Sequence, residues 1–192
     1  MRGTFGKLGA VSALALAWMW QGDFAQAQAP AAPKGSVVVA SPTYTSIQME
    51  INVNRPAAEV WKRVGKYCDV AEWLQVPAGC RLLSGKDGEF GAVRSVGNGE
   101  VLVGRTELSY TYAQTPKEGT PFNLYHGTVE ARPVTPTTSK LVYTLFFDNS
   151  MLPDESARAA DREARRARFT QALQNMKTLA EGGTLPPAPA PK

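Results

Sequence analysis

The sequence predicts an α+β fold, in which a curved antiparallel sheet of about seven strands wraps around one long C-terminal helix. Residues 45–54 alternate between apolar and polar side chains, as in a strand with one wet face. Residues 80–148 hold short β-type segments whose short connections favour antiparallel pairing. Residues 154–181 have helical periodicity and form the only long element that could cover the sheet. A bent sheet closed by one helix leaves space between them, so we expect a ligand cavity.

The first strand leads into two short helical segments. The apolar face of this strand consists of Ile47, Met49, Ile51 and Val53. Pro56 suits the first turn of a helix, and a second helical turn follows before Pro77. We expect Trp61 to face the core and anchor the first helix on the sheet.

The remaining strands follow residue 80. The sequence Gly97-Asn98-Gly99 is a hairpin signal. Residues 100–114, EVLVGRTELSYTYAQ, hold either one long bent strand or two, since no proline interrupts them before Pro116. Two further strands are predicted in NLYHGTVEARPV and SKLVYTLFFD.

The C-terminal helix is predicted over residues 154–181 and ends at Gly182. Its apolar face consists of Phe169, Ala172, Leu173, Met176, Leu179 and Ala180. Its first half is rich in arginine, but acidic residues interleave with the arginines, and Asp161 precedes Arg165 at the stabilising i,i+4 spacing. We interpret this region as a solvated helix face and expect no nucleic-acid partner, although the formal net charge is +4.

Residues 1–27 have the pattern of a cleavable signal peptide. Arg2 and Lys7 flank the start of an apolar stretch over residues 8–20, and Ala25-Gln26-Ala27 is a small-x-small cleavage site. A membrane anchor is the alternative, but this apolar stretch is short for a membrane span. The sequence therefore predicts a periplasmic or secreted protein with no stable membrane insertion after cleavage.

The rest of the chain is predicted to contain one domain. The Pro/Ala/Gly-rich residues 28–41 form a flexible linker, and residues 182–192 form a Pro/Ala-rich tail. Residues 42–181 are the length of a single domain with a sizeable core. Nothing in the sequence indicates the oligomeric state.

Residues 51–74, INVNRPAAEVWKRVGKYCDVAEWL, resemble the opening motif of the SRPBCC superfamily, the START-like helix-grip fold. They look most like the bacterial polyketide cyclase/dehydrase-type branch, and TELSYTYA, HGTVEARPV and SKLVYTLFF resemble its central and final strands. The resemblance covers residues 46–180. It implies the helix-grip fold, whose members include lipid carriers, hormone receptors, aromatase/cyclases and a few lyases. Where this branch often has Trp in the final strand, this chain has Tyr143.

The resemblance places Trp73 near the mouth of the cavity, where it would either pack at the rim or contact a ligand. Cys68 and Cys80 are the only cysteines, and in an exported protein they most simply form a disulfide. A metal site would lack His and Cys partners, and a thiol nucleophile would lack a nearby base in the sequence.

Polar and aromatic residues on the predicted strands are the candidate site. Period-two alternation puts Arg105 and Glu107 on one face, puts His126 opposite Tyr125, and groups Tyr143 with Phe147 on an inward face. The predicted catalytic residues are Glu107, Tyr143 and His126. The predicted ligand-binding residues are Arg105, Tyr110, Tyr112, Tyr125, Trp73 and Phe147. The alternative for Glu107 is an ordinary surface pair with Arg105.

The chemistry left open by the sequence needs no cofactor and no metal, since nucleotide-binding, nucleophile-elbow and metal-ligand motifs are absent. One hypothesis is cofactor-free acid–base chemistry on a small aromatic or polyketide-like compound, by a cyclase, dehydratase or carbon–carbon lyase. The alternative is a non-catalytic carrier for a small aromatic or lipid-like ligand. A third possibility is an inert structural protein. A buried Glu or His within hydrogen-bond reach of a Tyr would favour the enzyme, and a purely apolar cavity would favour the carrier.

Overall fold

The computed structural model describes residue 39, residues 41–117 and residues 119–187. The predicted signal peptide, most of the predicted linker and the end of the predicted tail lie outside the described residues. Within the described part, no helix is long and apolar enough to cross a membrane.

Seven antiparallel strands form one sheet in the order β1-β7-β6-β5-β4-β3-β2. The strands are β1 Tyr44–Val53, β2 Arg81–Ser84, β3 Val93–Val96, β4 Asn98–Thr106, β5 Ser109–Gln114, β6 Asn123–Pro133 and β7 Ser139–Asp148. The first and the last strand of the chain are therefore neighbours, while the central segments follow one another as a meander. The predicted fold is confirmed.

Three helices complete the domain, and their bounds are α1 Ala57–Val64, α2 Val70–Trp73 and α3 Glu155–Ala180. Pro56 directly precedes α1, where its missing N–H costs nothing. Asp154 begins α3 by accepting a hydrogen bond from the backbone N–H of Ala157 at 2.8 Å. After α3, Gly182 takes a positive φ of 90°, which ends the helix.

The core lies between the concave face of the sheet and α3. Ile47, Met49 and Val53 of β1 are buried, as the alternation predicts. Tyr143, Leu145 and Phe147 lie on the inner face of β7. The buried face of α3 packs against these strands and consists of Phe169, Ala172, Leu173, Asn175, Met176 and Leu179.

The segment over residues 100–114 is divided between two strands, so the two-strand alternative is the one observed. The turn between them consists of Glu107 and Leu108. The register of β4 on β5 shifts between Leu102 and Gly104. This irregularity interrupts the alternation of side chains between the two faces of the sheet. The residues of β4 that follow it therefore point to the face opposite to the one expected for a regular strand.

The predicted disulfide is confirmed. Cys68 and Cys80 are bonded, with their Cα atoms 5.4 Å apart. The bridge ties the connection between α1 and α2 to the residue preceding β2. A disulfide at this position fits an extracellular location.

Candidate functional site

A cavity of about 490 Å³ lies between α3 and the inner face of the sheet. Strands β3 to β7 supply one wall, α2 borders it, and the middle of α3 supplies the other wall. The described residues that give it its chemistry are Arg94, Glu100, Gln114, Phe122, Tyr125, Tyr143, Arg168 and Phe169. The expected cavity is therefore present, and its lining is both aromatic and charged.

The buried charges in the wall of this cavity are Arg94 of β3 and Glu100 of β4. They lie opposite each other across the hairpin, and the Arg94 Nη2 atom is 2.7 Å from Glu100 Oε2. Arg94 Nε donates a second hydrogen bond to the same oxygen at 2.8 Å. Two charged groups so far from water need this geometry, because burial of either one alone would be costly.

Arg94 also holds two tyrosines. Its Nη1 donates to the backbone carbonyl of Tyr67 and, at 3.3 Å, to the hydroxyl of Tyr110. The guanidinium carbon lies 4.0 Å from the centroid of the Tyr67 ring and 5.0 Å from that of Tyr112. Each guanidinium nitrogen therefore already has an acceptor, and the group is stacked between aromatic rings.

Glu100 has spare acceptor capacity at its second oxygen. Oε1 accepts a hydrogen bond from the Gln114 amide at 3.2 Å, and no other hydrogen bond reaches this oxygen within the described part of the chain. Burial raises the pKa of the Glu100 carboxyl, and this outweighs the opposing effect of Arg94. Glu100 is thus a buried carboxyl, at the cavity wall, that can both accept a hydrogen bond and exchange a proton.

Two phenols face each other at the centre of the sheet. The hydroxyl oxygens of Tyr112 and Tyr143 are 2.8 Å apart, and both side chains are buried. Burial raises the pKa of both phenols well above the ordinary value, so each remains neutral. Tyr125 stacks on Phe147 with ring centroids 5.6 Å apart, and burial raises the pKa of Tyr125 to about 12.

Two arginines of α3 stand at the mouth of the cavity. Arg165 is paired with Asp161 at 3.0 Å, and its guanidinium carbon lies 4.8 Å from the centroid of Phe122. Arg168 is exposed and has no carboxylate within ion-pair distance among the described residues. It is therefore the cation of this site that is free to meet a ligand.

The structure brings together several of the residues singled out in the sequence. Tyr112, Tyr125 and Tyr143 line the cavity, and Phe147 packs behind Tyr125. Tyr110 is also buried but lines a different, smaller chamber of about 260 Å³.

The expectation that Trp73 lies at the mouth of the cavity is wrong. Trp73 is completely buried, its Nε1 donates to Val64 O at 3.3 Å, and its ring meets Tyr143 edge-on. It is a core residue rather than part of a rim. Trp61 packs against the core as expected, although it is only partly buried and also lines the smaller chamber.

The predicted position of Glu107 is also wrong. Glu107 is exposed, because β4 ends at Thr106 and the chain turns at Glu107 and Leu108 before β5. Arg105 lies at the end of β4, exposed, and donates to the Gly88 carbonyl. Glu107 and Arg105 therefore do not reach the cavity that Tyr112, Tyr125 and Tyr143 line, although Arg105 lines the smaller chamber with Tyr110.

His126 does not line this cavity. It pairs with Phe146, which is an exposed residue of the outer face, and its Nδ1 is 3.0 Å from Leu124 O. The arrangement agrees with the prediction that His126 lies opposite Tyr125. His126 lines a neighbouring surface groove, and the residues that this groove shares with the cavity are Gln114, Phe122 and Tyr125.

Sequence reasoning missed Arg94, Glu100 and Gln114. A signal was present, because Arg94 and Glu100 each lie three residues from Gly97, so a turn centred there pairs them. The signal for Arg165 was its position four residues before Phe169, on the same side of α3. In the described part of the chain, no group of three or more His, Cys, Asp or Glu side chains could hold a metal ion.

Comparison with known proteins gives one family and many similar structures. Residues 44–181 match the family described as polyketide cyclase/dehydrase and lipid transport. A solution structure from Thermobifida fusca has 22% identity and a TM-score of 0.60, over 73% of this chain and 97% of that chain. The Zhui aromatase/cyclase from a Streptomyces species has 15% identity and a TM-score of 0.55, over 74% of this chain and 100% of that chain.

A truncated norcoclaurine synthase from Thalictrum flavum has 13% identity and a TM-score of 0.57, over 77% of this chain and 99% of that chain. No curated protein matches the sequence. At such low identities the similar structures establish the fold alone, and the chemistry has to be argued from the cavity.

Proposed function

The chain belongs to the polyketide cyclase/dehydrase and lipid transport family, and we propose that it binds a small aromatic or similarly hydrophobic molecule that carries a polar or anionic group. The observation that carries this proposal is the cavity of about 490 Å³, lined by aromatic rings around one buried carboxyl. Cavities of this size and composition suit small ligands.

The aromatic wall would hold the apolar body of the ligand. Phe122, Tyr125 and Phe169 contribute ring faces and edges to the cavity. Aromatic pairs gain from offset or edge-on contact in addition to burial. A ligand with one or two rings could therefore pack on this wall.

The polar end of the ligand would meet Glu100 and Arg168. Glu100 Oε1 can accept a hydrogen bond from a hydroxyl or amine, because its hydrogen bond from Gln114 leaves a lone pair of this oxygen available. Arg168 at the mouth can pair with a carboxylate, sulfonate or phenolate. Together these groups would orient the ligand with its donor inward and its anionic group toward solvent.

Catalysis is the second candidate function, and Glu100 is the observation that favours it. The cavity is not purely apolar, as a simple carrier would favour, and its carboxyl has a raised pKa suited to proton exchange. Its side chain, however, is bonded to Arg94 and Gln114 rather than to a tyrosine. In a dehydration, Glu100 would take a proton from the carbon next to a carbonyl and return it to the departing hydroxyl as water.

We also propose that the protein works outside the cytoplasm, after cleavage near Ala27. The motivating features are the N-terminal export pattern and the disulfide, which an oxidising compartment favours. Intact mass of the protein recovered from periplasm or medium should correspond to a start near Gln28. Recovery of material that still begins at Met1 would refute the cleavage.

The binding proposal is tested with two fluorescent probes of the same skeleton, 1-anilinonaphthalene-8-sulfonate and N-phenyl-1-naphthylamine. Both should bind the folded protein, because both carry the ring system that the aromatic wall accepts. Arg168→Gln should lower the affinity for the sulfonate probe about fivefold, because one exposed ion pair is lost, and it should leave the affinity for the neutral probe unchanged. Glu107→Gln, an equally exposed change outside the cavity, is the control and should alter neither probe.

A second pair of variants locates the bound probe. Ala164 lines the cavity mouth on α3, whereas Ala167 is exposed on the same helix and does not line the cavity. Ala164→Phe should lower the affinity for both probes, whereas Ala167→Phe should leave both affinities unchanged. If the two variants bind the probes equally, or if wild-type protein binds neither probe, the proposed site is wrong.

A further inference from the structure

The space under the sheet is divided into two chambers. The cavity of about 490 Å³ described above lies on one side, and the second chamber, of about 260 Å³, lies between α1 and the far ends of β4 and β5. Its inner wall consists of Trp61, Tyr67, Leu102 and Tyr110, and its solvent side is bordered by Lys62, Lys66, Asp87 and Arg105. The two chambers share no lining residue.

Arg94 and two phenol rings stand between the chambers. Arg94 lines the cavity, whereas Tyr67 and Tyr110 line the second chamber. Arg94 Nη1 donates to the Tyr67 carbonyl and the Tyr110 hydroxyl, and the Tyr67 and Tyr110 rings meet edge-on at 5.4 Å. The three side chains are all buried and in mutual contact.

This partition is held closed by the ion pair. Arg94 cannot swing aside without leaving Glu100 as a buried carboxylate with no cation, because its Nε and Nη2 atoms both contact Glu100. Tyr67 adds a second connection by donating its hydroxyl to the Glu100 backbone carbonyl at 3.1 Å. A ligand would therefore meet a fixed wall rather than a mobile side chain.

We infer that Arg94, with the rings of Tyr67 and Tyr110, closes the cavity on the side of the second chamber, so that the site takes compact molecules of one or two rings and excludes extended acyl chains and rigid rods that would have to pass this wall. This inference rests on the proposed binding function and specifies its ligand class. The family description names both polyketide cyclase/dehydrase activity and lipid transport. A site limited to compact molecules fits the first of these and not the transport of extended lipids.

The test compares two double variants that lose the same charges. Arg94→Ala/Glu100→Gln removes the ion pair and the side chain that fills the gap. Arg94→Met/Glu100→Gln removes the same ion pair but keeps a long side chain in that place. Any effect of lost charge is common to both, so a difference between them reports the partition itself. Thermal unfolding checks that both variants are folded.

The probes are compact 1-anilinonaphthalene-8-sulfonate and the rigid, rod-shaped propionic acid derivative of diphenylhexatriene, which are both anionic and fluorescent. Wild-type protein and the Met variant should bind the compact probe and exclude the rod. The Ala variant should bind the rod roughly tenfold more tightly than the Met variant, because the rod can bury additional apolar surface in the second chamber. Tyr110→Ala, which thins the partition from the other side with the ion pair intact, should also admit the rod.

The outcomes separate this inference from the binding proposal. If wild-type protein binds the rod as tightly as the compact probe, the partition does not limit the ligand, and the inference is overturned while the binding proposal stands. Exclusion of the rod by folded Ala and Tyr110→Ala variants would likewise show that something other than Arg94 sets the limit. Failure of the compact probe to bind any folded form would overturn the binding proposal, and this inference with it.

Discussion

The carboxylate of Glu100 lies 2.7 Å from the guanidinium of Arg94, and these side chains retain only 6% and 1% of their exposure. Both groups belong to one short hairpin, but their contacts reach Tyr67, Tyr110 and Gln114. A pair formed between neighbouring strands thus connects α1–α2 to the centre of the sheet. Its removal should affect stability and the shape of the cavity together.

Removing one member of this pair should destabilise the fold strongly. Arg94→Leu leaves Glu100 buried without a cation, and we expect a loss of about 3–5 kcal/mol in the free energy of unfolding. Arg94→Leu/Glu100→Leu leaves no unpaired charge, so it should recover most of that loss. Urea denaturation of the three proteins measures both values. A double variant that is as unstable as the single one would show that the charges themselves, rather than their pairing, are needed.

The raised pKa of the Glu100 carboxyl predicts how the free energy of unfolding depends on pH. Burial raises the pKa of this carboxyl above 4.5, so just above pH 4.5 the folded protein keeps a proton that the unfolded chain releases. The contribution of Glu100 to the free energy of unfolding therefore falls as pH rises toward the folded-state pKa. Wild-type protein should lose stability relative to Glu100→Gln from pH 4 upward, as measured by urea denaturation at several pH values. The other carboxyl groups are common to both proteins, so their titration does not contribute to this difference. If wild type instead gains stability relative to Glu100→Gln as pH rises, the effect of Arg94 on the pKa of Glu100 outweighs the effect of burial.

The fold was predictable because its signals are local and repeated. The alternation in β1, the proline before α1 and the apolar stripe of α3 each follow from one short segment. The disulfide was predictable because only two cysteines exist to pair. None of these predictions required the relative position of distant segments.

The site was only partly predictable, since it depends on strand ends and registers. Period two grouped Tyr143 with Phe147 on the inner face and put His126 opposite Tyr125, but it could not locate the turn at Glu107 or the irregularity at Leu102. The turn puts the predicted catalytic carboxylate, Glu107, in solvent rather than in the cavity. Glu100 was passed over because a lone acid beside a glycine turn also fits an ordinary exposed hairpin.

Reduction of the Cys68–Cys80 bond should lower stability without unfolding the domain at room temperature. The bridge closes a loop of sequence separation 12, which corresponds to about 3 kcal/mol in the chain-entropy description. The large core should keep the reduced protein folded. Urea denaturation with and without reductant, compared with Cys68→Ser/Cys80→Ser, measures the effect. Thiol labelling under denaturing, non-reducing conditions should find no free cysteine, and two labelled thiols would contradict the bond.

The hydroxyl pair of Tyr112 and Tyr143 should show strong coupling. Tyr143→Phe leaves the Tyr112 hydroxyl buried without its partner, and we expect a loss of about 1–3 kcal/mol; Tyr112→Phe should behave alike. Tyr112→Phe/Tyr143→Phe removes both polar groups, so its loss should be smaller than the sum of the single losses. The three unfolding free energies form a double-mutant cycle. Strict additivity would show that the two hydroxyls do not bond to each other in solution.

The shape of the cavity should depend on the glycine opposite Tyr112. Tyr112 pairs with Gly127 across β5 and β6, and a Cβ added at Gly127 would lie 2.5 Å from the Tyr112 hydroxyl oxygen. Strand glycines of this kind permit close approach by a neighbouring group. Gly127→Ala should therefore push the Tyr112 ring away from β6, break its bond to Tyr143 and lower the unfolding free energy by about 2–3 kcal/mol.

A matched glycine makes this last prediction specific. Gly104 is also a strand glycine, but a Cβ there would meet its nearest neighbour, Thr111, at an ordinary 3.6 Å. Gly104→Ala should therefore change stability by no more than about 0.5 kcal/mol and leave the binding of 1-anilinonaphthalene-8-sulfonate unchanged. Gly127→Ala should weaken that probe, because the displaced Tyr112 ring enters the space that the probe needs. Equal probe affinity in the two folded variants would place the probe away from Tyr112, since only Gly127→Ala moves that ring.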